Sequence, residues 1–388
     1  MKFKVSKKIF AHIDCDSFFV ACEVFRNPSL ANKHVCVGRD VTIAASYSAK
    51  AKWVKVWVPF WEAKKILWKN FVALDPDMWL YGKISKKLMS FLNQHTQNVE
   101  VFSIDEAFVE ITGIPESLWI QLEQYVKYLQ DKILQEIGVP VSFWVSNTRL
   151  RAKIFSKLRK PYGYFIGLDN QSVYDQFQDM LVSDIPFVWF GYQQRLSPHI
   201  KTIYDFSRES MFYYKRLIGK NATGLWFELN GVNSLCFASS GNKKSVVKTR
   251  SFNHEMTSDP KIIWSKLLLN VERLFQEMAL HEYEIRHIRL HLKTKQKESF
   301  GISHYFEDYT CDRKEIYGTL RQLFIRLYKT WVIYRATGVG SHDLQKYSPK
   351  QLSIFTETNQ KHEKNIKLEK IFLDIQKKYW NATIQVGI

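Results

Sequence analysis

Apolar positions recur along this chain with two periods, and the change from one to the other marks its elements. Residues 9–14, Ile-Phe-Ala-His-Ile-Asp, read as a buried strand that ends in an acid. The stretch VEVFSIDEAFVEI, 99–111, alternates like two half-buried strands meeting around Ser103–Glu106. Between them, 45–52 and 60–70 carry helical, basic patterns. Leu118, Leu122, Tyr125, Val126, Leu129, Ile133 and Ile137 follow helical spacing across 116–137, and Gly138 stands where a C-terminal cap belongs. Strands and helices thus mix over the first 170 residues, which predicts an α/β or α+β domain. Residues 171–235 read as mainly helical, and SGNKKSVVK, 240–248, as a polar, basic linker. A strand, a helix over 262–280, strands around 285–293 and a helix near 314–330 then predict a separate small α+β domain. The tail from about 344 starts polar and ends in an amphipathic segment, 366–379.

Composition narrows the partners. A chain of 388 residues with 46% hydrophobic positions should fold into two to four domains rather than stay disordered. Its net charge of +18 points to a polyanion: DNA, RNA or an anionic membrane surface. The five cysteines (Cys15, Cys22, Cys36, Cys236, Cys311) are scattered without a C-x-x-C pair, which argues against a disulfide framework or zinc ribbon and fits a reducing cytoplasm. No apolar run has the length of a membrane span and no secretory h-region opens the chain, so a soluble, cytoplasmic protein with no membrane partner is expected.

Three acids carry the candidate chemistry. Asp14 ends one strand, and Asp105-Glu106 stand where a second strand pair meets. Neighbouring strands lie about 5 Å apart, so carboxylates at their ends can converge on one small volume. Acids so crowded repel unless a cation neutralises them, and hard oxygen donors suit magnesium. Read singly, each is equally a solvated turn acid.

Order along the chain supplies the context. HIDCDSFF (12–19), AASYSAKAK (44–52), SIDEAF (103–108), SNTRLRAK (146–153), LRKPYG (158–163), KTRSF (248–252) and YRATGVG (334–340) follow one another, and together they resemble the Y-family DNA polymerases, including bacterial polymerase IV and UmuC-like enzymes. The resemblance covers nearly the whole chain. It implies an α+β right-hand polymerase: palm 1–19 and 75–170, fingers 20–74, helix-hairpin-helix-like thumb 171–239, linker 240–248, a DNA-gripping α+β little finger 249–343, and a tail 344–388. By matching positions, Asp14, Asp105 and Glu106 would be the catalytic acids. They would hold two Mg²⁺ ions, with the Cys15 carbonyl as a further ligand. Asp16 and Glu110 receive no metal role from the resemblance.

Phe19 falls where the family places a steric gate against the ribose 2′-hydroxyl, with Phe18 beside it; both being core is the other reading. Were the segment extended, alternation would point the two rings to opposite sides. Tyr47, Lys50 and Lys160 match triphosphate contacts, lysine at 50 offering a point charge rather than the guanidinium fork many members carry. Arg149, Arg151, Lys153, Lys157, Arg159 and Lys160 form a basic stretch, which reads as contact with DNA or triphosphate, as do Lys248 and Arg250 in the little finger. In the thumb, Gly191 belongs to a hairpin whose usual G-x-G is here Trp189-Phe190-Gly191. Gln351-Leu352-Ser353-Ile354-Phe355 resembles the peptide by which bacterial polymerases dock on a sliding clamp; Gln351, Leu352, Ile354 and Phe355 would make the contacts.

The expected function is therefore low-fidelity, template-directed extension of primers past damaged bases by a monomeric enzyme that takes primer-template DNA and dNTPs. A catalytically inactive DNA-binding scaffold is the alternative, opposed by the intact acids. A palm-type nucleotidyl cyclase is a further rival, opposed by the clamp peptide and the basic C-terminal domain.

One compositional feature stands apart. The chain has 12 tryptophans and only 16 glycines, and the two together match the share of about 7% that glycine alone ordinarily takes. Trp53, Trp57, Trp144, Trp189, Trp331 and Trp380 stand where the family pattern has glycine. Either the gene uses UGA for glycine and was translated with UGA as tryptophan, or an aromatic-rich protein has made real substitutions. The first reading expects at least one of Trp53, Trp57, Trp189 and Trp331 at positive φ with an exposed indole; the second expects negative φ and buried rings.

Overall fold

The computed structural model describes residues 7–96, 98–188, 190–235, 243–252, 255–347 and 371. The chain forms two compact units, one ending at Ser239 and the other starting at Ser240. Among the described residues no helix is long and apolar enough to cross a membrane.

The first unit contains, in order, β1 (Phe10–Cys15), α1 (Phe18–Arg26), β2 (His34–Gly38), β3 (Thr42–Ala45), α2 (Tyr47–Lys50), α3 (Phe60–Leu67), β4 (Phe71–Leu74), α4 (Met78–His95), β5 (Asn98–Val101), β6 (Glu106–Glu110), α5 (Ile114–Ser117), α6 (Leu122–Ile137), β7 (Val141–Ser146), α7 (Arg149–Ile154), β8 (Tyr164–Gly167) and α8 (Asn170–Asp179). Short helices α9 (Phe190–Gln193), α10 (Ile203–Arg208), α11 (Met211–Leu217) and α12 (Lys220–Leu229) complete it. Its main sheet has the order β5-β6-β1-β7-β8, which puts β1 at the centre. β1 reads as a nearly unbroken apolar run because neighbours hydrogen-bond to both of its edges and helices cover the sheet.

Helix α6 lays Tyr125, Val126, Leu129, Ile133 and Ile137 into that core, each worth about 1.5–3 kcal/mol when fully buried. It ends at Gly138, whose φ of 84° the absent Cβ makes easy. The single helix expected over 116–137 is instead two, α5 and α6. Leu118, which belongs to the expected apolar stripe, is exposed, and the turn at Trp119 has φ 59°, which no continuous helix tolerates.

A smaller sheet, β3-β2-β4, carries its own core of Cys36, Ala45, Ala49, Val54, Ala63 and Leu67. The boundary expected between residues 19 and 20 cuts α1, whose Phe18, Val20, Ala21 and Cys22 pack with the main sheet; helix and sheet form one hydrophobic body. Residues 171–235 are helical as expected, around Val173, Phe177, Ile203, Phe206, Tyr214 and Leu229.

The second unit comprises β9 (Val246–Ser251), α13 (Pro260–His281), β10 (Tyr283–Thr294), β11 (Ser299–Thr310), α14 (Arg313–Leu327), β12 (Tyr334–Ser341) and β13 (Leu344–Lys346). Its antiparallel sheet runs β11-β10-β12-β9, with β13 on β10. Both helices pack on one face, against Ile288, Leu290, Leu292 and Val339. The linker expected over 240–248 ends sooner, because Val246–Lys248 already pair with β12.

Candidate active site

Register places the acids. In the antiparallel pair of β1 and β6, Asp14 stands directly opposite Glu106. The Cys15 N–H donates to the Asp105 carbonyl at 3.0 Å, so the turn before β6 is stitched to the end of β1. Burial and the adjoining Glu106 push the Asp14 carboxyl up to about 6, against the pull of Lys160. Asp105 is raised as well, by burial first, with the Ser103 hydroxyl donating to it in opposition.

Two lysines answer this crowding. The Lys160 ammonium donates to Asp14 Oδ1 at 2.6 Å, and Lys153 donates to Glu106 Oε1 at 2.6 Å. Asp14 and Glu106 meet across the strand pair, and Asp105 lies on the turn beside them. Among the described residues no three acids, cysteines or histidines gather at metal-holding distance. Asp14 and Glu106 still adjoin, and Lys160, Lys153 and Ser103 offset part of the repulsion among the three acids. The donor set still fits a hard divalent cation: half-buried carboxylates at the end of β1, the start of β6 and the turn before it, with Asp14 and Asp105 held above their ordinary range chiefly by burial and then by the neighbouring acids. Glu110, on the far end of β6, is spent on Lys8 and Asn98.

His12, also on β1, lies between Phe108 and Trp144 at ring separations of 4.9 and 5.5 Å. Burial, then the charges of Lys153 and Lys160, keep its imidazole well below the usual range and hence neutral. Its Nε2 lies 3.3 Å from Lys153 Nζ and so serves as an acceptor that steadies the lysine.

Tyr47 and Lys50 occupy one turn, α2, capped by the Ser46 hydroxyl. The Tyr47 hydroxyl donates to Asp16 Oδ1 at 3.0 Å, Lys50 donates to the Ser17 hydroxyl at 2.8 Å, and the Lys50 ammonium lies over the Tyr47 ring. Desolvation and the nearby Lys160 charge lower the Lys50 ammonium, which shows two cations brought together from different elements. The loop presenting Lys160 is tight: a Cβ on Gly163 would lie 1.6 Å from the Arg159 carbonyl oxygen, so only glycine closes it.

Phe18 and Phe19 do not lie on an extended segment; they open α1. Phe18 is buried, whereas Phe19 is half-buried and stacks on Tyr81 with ring centroids 4.5 Å apart.

The DNA-contact expectations fare unevenly. Arg151 is wholly buried and donates to the Leu229 carbonyl, Asn147 and Asn170, which makes it a strut of α7 rather than a phosphate contact. Arg149 is corrected likewise: it pairs with Glu100 and Asn233 and lies over the Phe10 ring. Lys153 faces Glu106 and belongs to the acid site. Gly191 lies exposed in α9 with open space around its Cβ position, so no close approach there demands glycine; Trp189 lies outside the described residues, as do 351–355.

In the second unit, Lys248 and Arg250 share the helix-facing side of β9, where Lys248 pairs with Glu277 of α13 at 3.0 Å. The opposite side carries the basic residues that sequence reading missed. Arg289, His291 and Lys293 alternate there along β10, and a Cβ on Gly338 would meet the His291 ring and Thr249. Their period-two spacing was the available signal.

This arrangement of a central acid-bearing sheet, a small sheet, a helical segment and an α+β C-terminal unit has a known counterpart. A Y-family DNA polymerase chimera superposes with TM-score 0.72 at 20% identity, covering 87% of this chain and all of that one. The Dbh DNA polymerase, in an insertion ternary complex, does so at 0.56 and 20% identity. The fold is that of the Y-family DNA polymerases. Residues 13–157 match the impB/mucB/samB family and 243–354 that family's C-terminal domain, and the chain belongs to this family of DNA-directed DNA polymerases. Among its curated relatives is DNA polymerase IV of Staphylococcus aureus strain JH9, 28% identical over 359 residues that span 89% of this chain and 97% of that protein. The same polymerase from strain Newman matches equally over the same spans.

Proposed function

We propose that this polymerase extends primers past damaged template bases, using two magnesium ions for nucleotidyl transfer. The observation that carries the reading is the opposition of Asp14 and Glu106 on adjacent central strands, with Asp105 beside them and Lys50 and Lys160 facing them from separate elements. Asp14, Asp105, Glu106 and the Cys15 carbonyl would hold the ions. Held there, the ions would supply activation of the primer 3′-hydroxyl and neutralisation of the triphosphate and leaving pyrophosphate. Lys160 and Lys50 turn to the triphosphate, with Tyr47 as a further donor, and Phe19 lies under the sugar. Catalysis is then chiefly positioning and charge stabilisation.

Primer-template DNA and dNTP are the ligands this site accommodates, and the Dbh ternary complex supports that reading. The main sheet with α1 acts as palm, the small sheet β3-β2-β4 with its helices as fingers, the helical segment from 171 as thumb and the second unit from Val246 as little finger. Magnesium-dependent primer extension on intact and lesion-bearing templates tests the proposal; DNA binding without extension would favour a scaffold instead.

The peptide at 351–355 adds a clamp partner. Deleting it is expected to leave distributive synthesis on short primers intact and to remove stimulation by a bacterial sliding clamp, because a short segment with two apolar anchors docks into a preformed groove. Equal stimulation of both forms would refute the docking role.

A further inference from the structure

Five tryptophans occupy backbone conformations made for glycine. Trp53, Trp57, Trp68, Trp119 and Trp331 have φ of 67°, 74°, 48°, 59° and 69°. Ten tryptophans lie among the described residues, so half of them are at positive φ, whereas all other non-glycine residues described contribute six. Bulky side chains are the rarest occupants of this region.

Local hydrogen bonds show what each position is. After α2 the Val54 N–H returns to the Ala49 carbonyl at 3.2 Å and the Trp53 N–H to that of Lys50 at 2.9 Å. After α5 the Ile120 N–H returns to Pro115 and the Trp119 N–H to Glu116, both at 3.1 Å. Both are Schellman closures with tryptophan at C′, the site most often filled by glycine. Trp57 and Trp331 each take the third position of a turn, closed by Val58 on Lys55 and by Val332 on Lys329, at 3.4 Å in both. Positive φ at that position is what a type II turn reserves for glycine. Trp68 ends α3 with ψ −109°, outside even the left-handed helical well. Nor do the indoles compensate by packing, since all five are between 72% and 92% exposed. Trp144 contrasts with them: it lies in β7 at ordinary φ, wholly buried, with Nε1 donating to the Leu158 carbonyl at 2.9 Å, and its geometry makes no case for glycine.

We propose that these five positions are glycine in the natural protein, encoded by UGA codons that its source decodes as glycine. Peptide mass spectrometry of the protein from that source, with the coding DNA, is the test. UGA codons and glycine-bearing peptides are expected at all five; UGG codons, or tryptophan in the peptides, overturn the recoding. Independently, replacing the five tryptophans by glycine in this sequence should raise the thermal midpoint by roughly 2–4 °C per position. Trp144→Gly should lower it. An unchanged or lowered midpoint in the five-fold variant overturns the claim that these sites are built for glycine.

A separate observation concerns Asp16. Its buried carboxylate accepts from the Tyr47 hydroxyl at 3.0 Å, the Ser142 hydroxyl at 2.9 and 3.1 Å, and the Tyr162 N–H at 2.7 Å. One acid thus joins α2 to the loop that presents Lys160. We infer that Asp16 is a positioning residue that sets Tyr47 and Lys160 for the triphosphate, an inference resting on the roles proposed for those two. Asp16→Asn and the milder Tyr47→Phe should each raise KM for dNTP, the former by about 10-fold, the worth of one lost charge-assisted hydrogen bond. The double variant should add little to the larger single effect. Fully additive effects, or an unchanged KM with a lowered thermal midpoint, would reduce Asp16 to a structural acid. Asp105→Ala reports on the metal reading at saturating nucleotide, so failure of that reading is distinguishable from failure of this one.

Discussion

Replacing Asp105 or Glu106 by alanine should cut primer extension by about 10²–10³-fold or more while DNA binding survives, because electrostatic stabilisation of the transferring phosphoryl group is the largest single contribution such a site makes. Glu106 faces Asp14 across the central strand pair, and Asp105 sits on the turn tied to Cys15. Removing either leaves a site with one negative charge fewer and two lysines to satisfy. Lys153, deprived of Glu106, keeps His12 within 3.3 Å, so the fold has a local acceptor to fall back on and the loss is expected in kcat rather than in stability. Single-turnover extension with matched DNA-binding titrations is the measurement; retained extension in either variant would refute the assignment.

Phe19→Ala should raise ribonucleotide incorporation by about 10²-fold, while deoxynucleotide incorporation falls less. The ring is half-buried at the start of α1 and stacked on Tyr81 with an interplanar angle of 15°. That stack holds it in one orientation, as a steric gate requires. Phe18, fully buried beside it, supplies the comparison: truncating Phe18 should cost stability, typically 3–5 kcal/mol for a core phenylalanine, without changing sugar selection. Incorporation assays with matched dNTP and NTP separate the outcomes, and unchanged discrimination in Phe19→Ala would assign Phe19 to the core.

The structure corrected the sequence reading in a consistent way. The basic stretch 149–160 looked like one DNA-facing strip, yet its members serve three ends. Arg151 is spent on a carbonyl 78 residues away, Arg149 on Glu100 and Asn233, and only Lys153 and Lys160 reach the acids. Arginine in such a run carries no mark of burial, because the acceptors that make burial tolerable come from distant segments. Lys248 and Arg250 show a related dependence on distant segments. Alternation along β9 states that they share a face, and the placement of α13 decides that this face is the covered one.

Sequence alone determined the strand over 9–14, the strand pair within 99–111, the glycine cap at 138, the order of motifs and hence the family, and the identity of the candidate acids. Those properties depend on local periodicity, turn chemistry and residue type, all of which the chain carries within a few positions. Only the tertiary structure decided that each acid is matched by its own lysine or serine, that Asp16 gathers Tyr47, Ser142 and Tyr162, and that the basic open face of the second sheet is Arg289, His291 and Lys293. Apart from Ser103, which adjoins Asp105 in sequence, these partners come together across dozens of residues, and a carboxylate or cation acquires its role from the charge and burial that they supply.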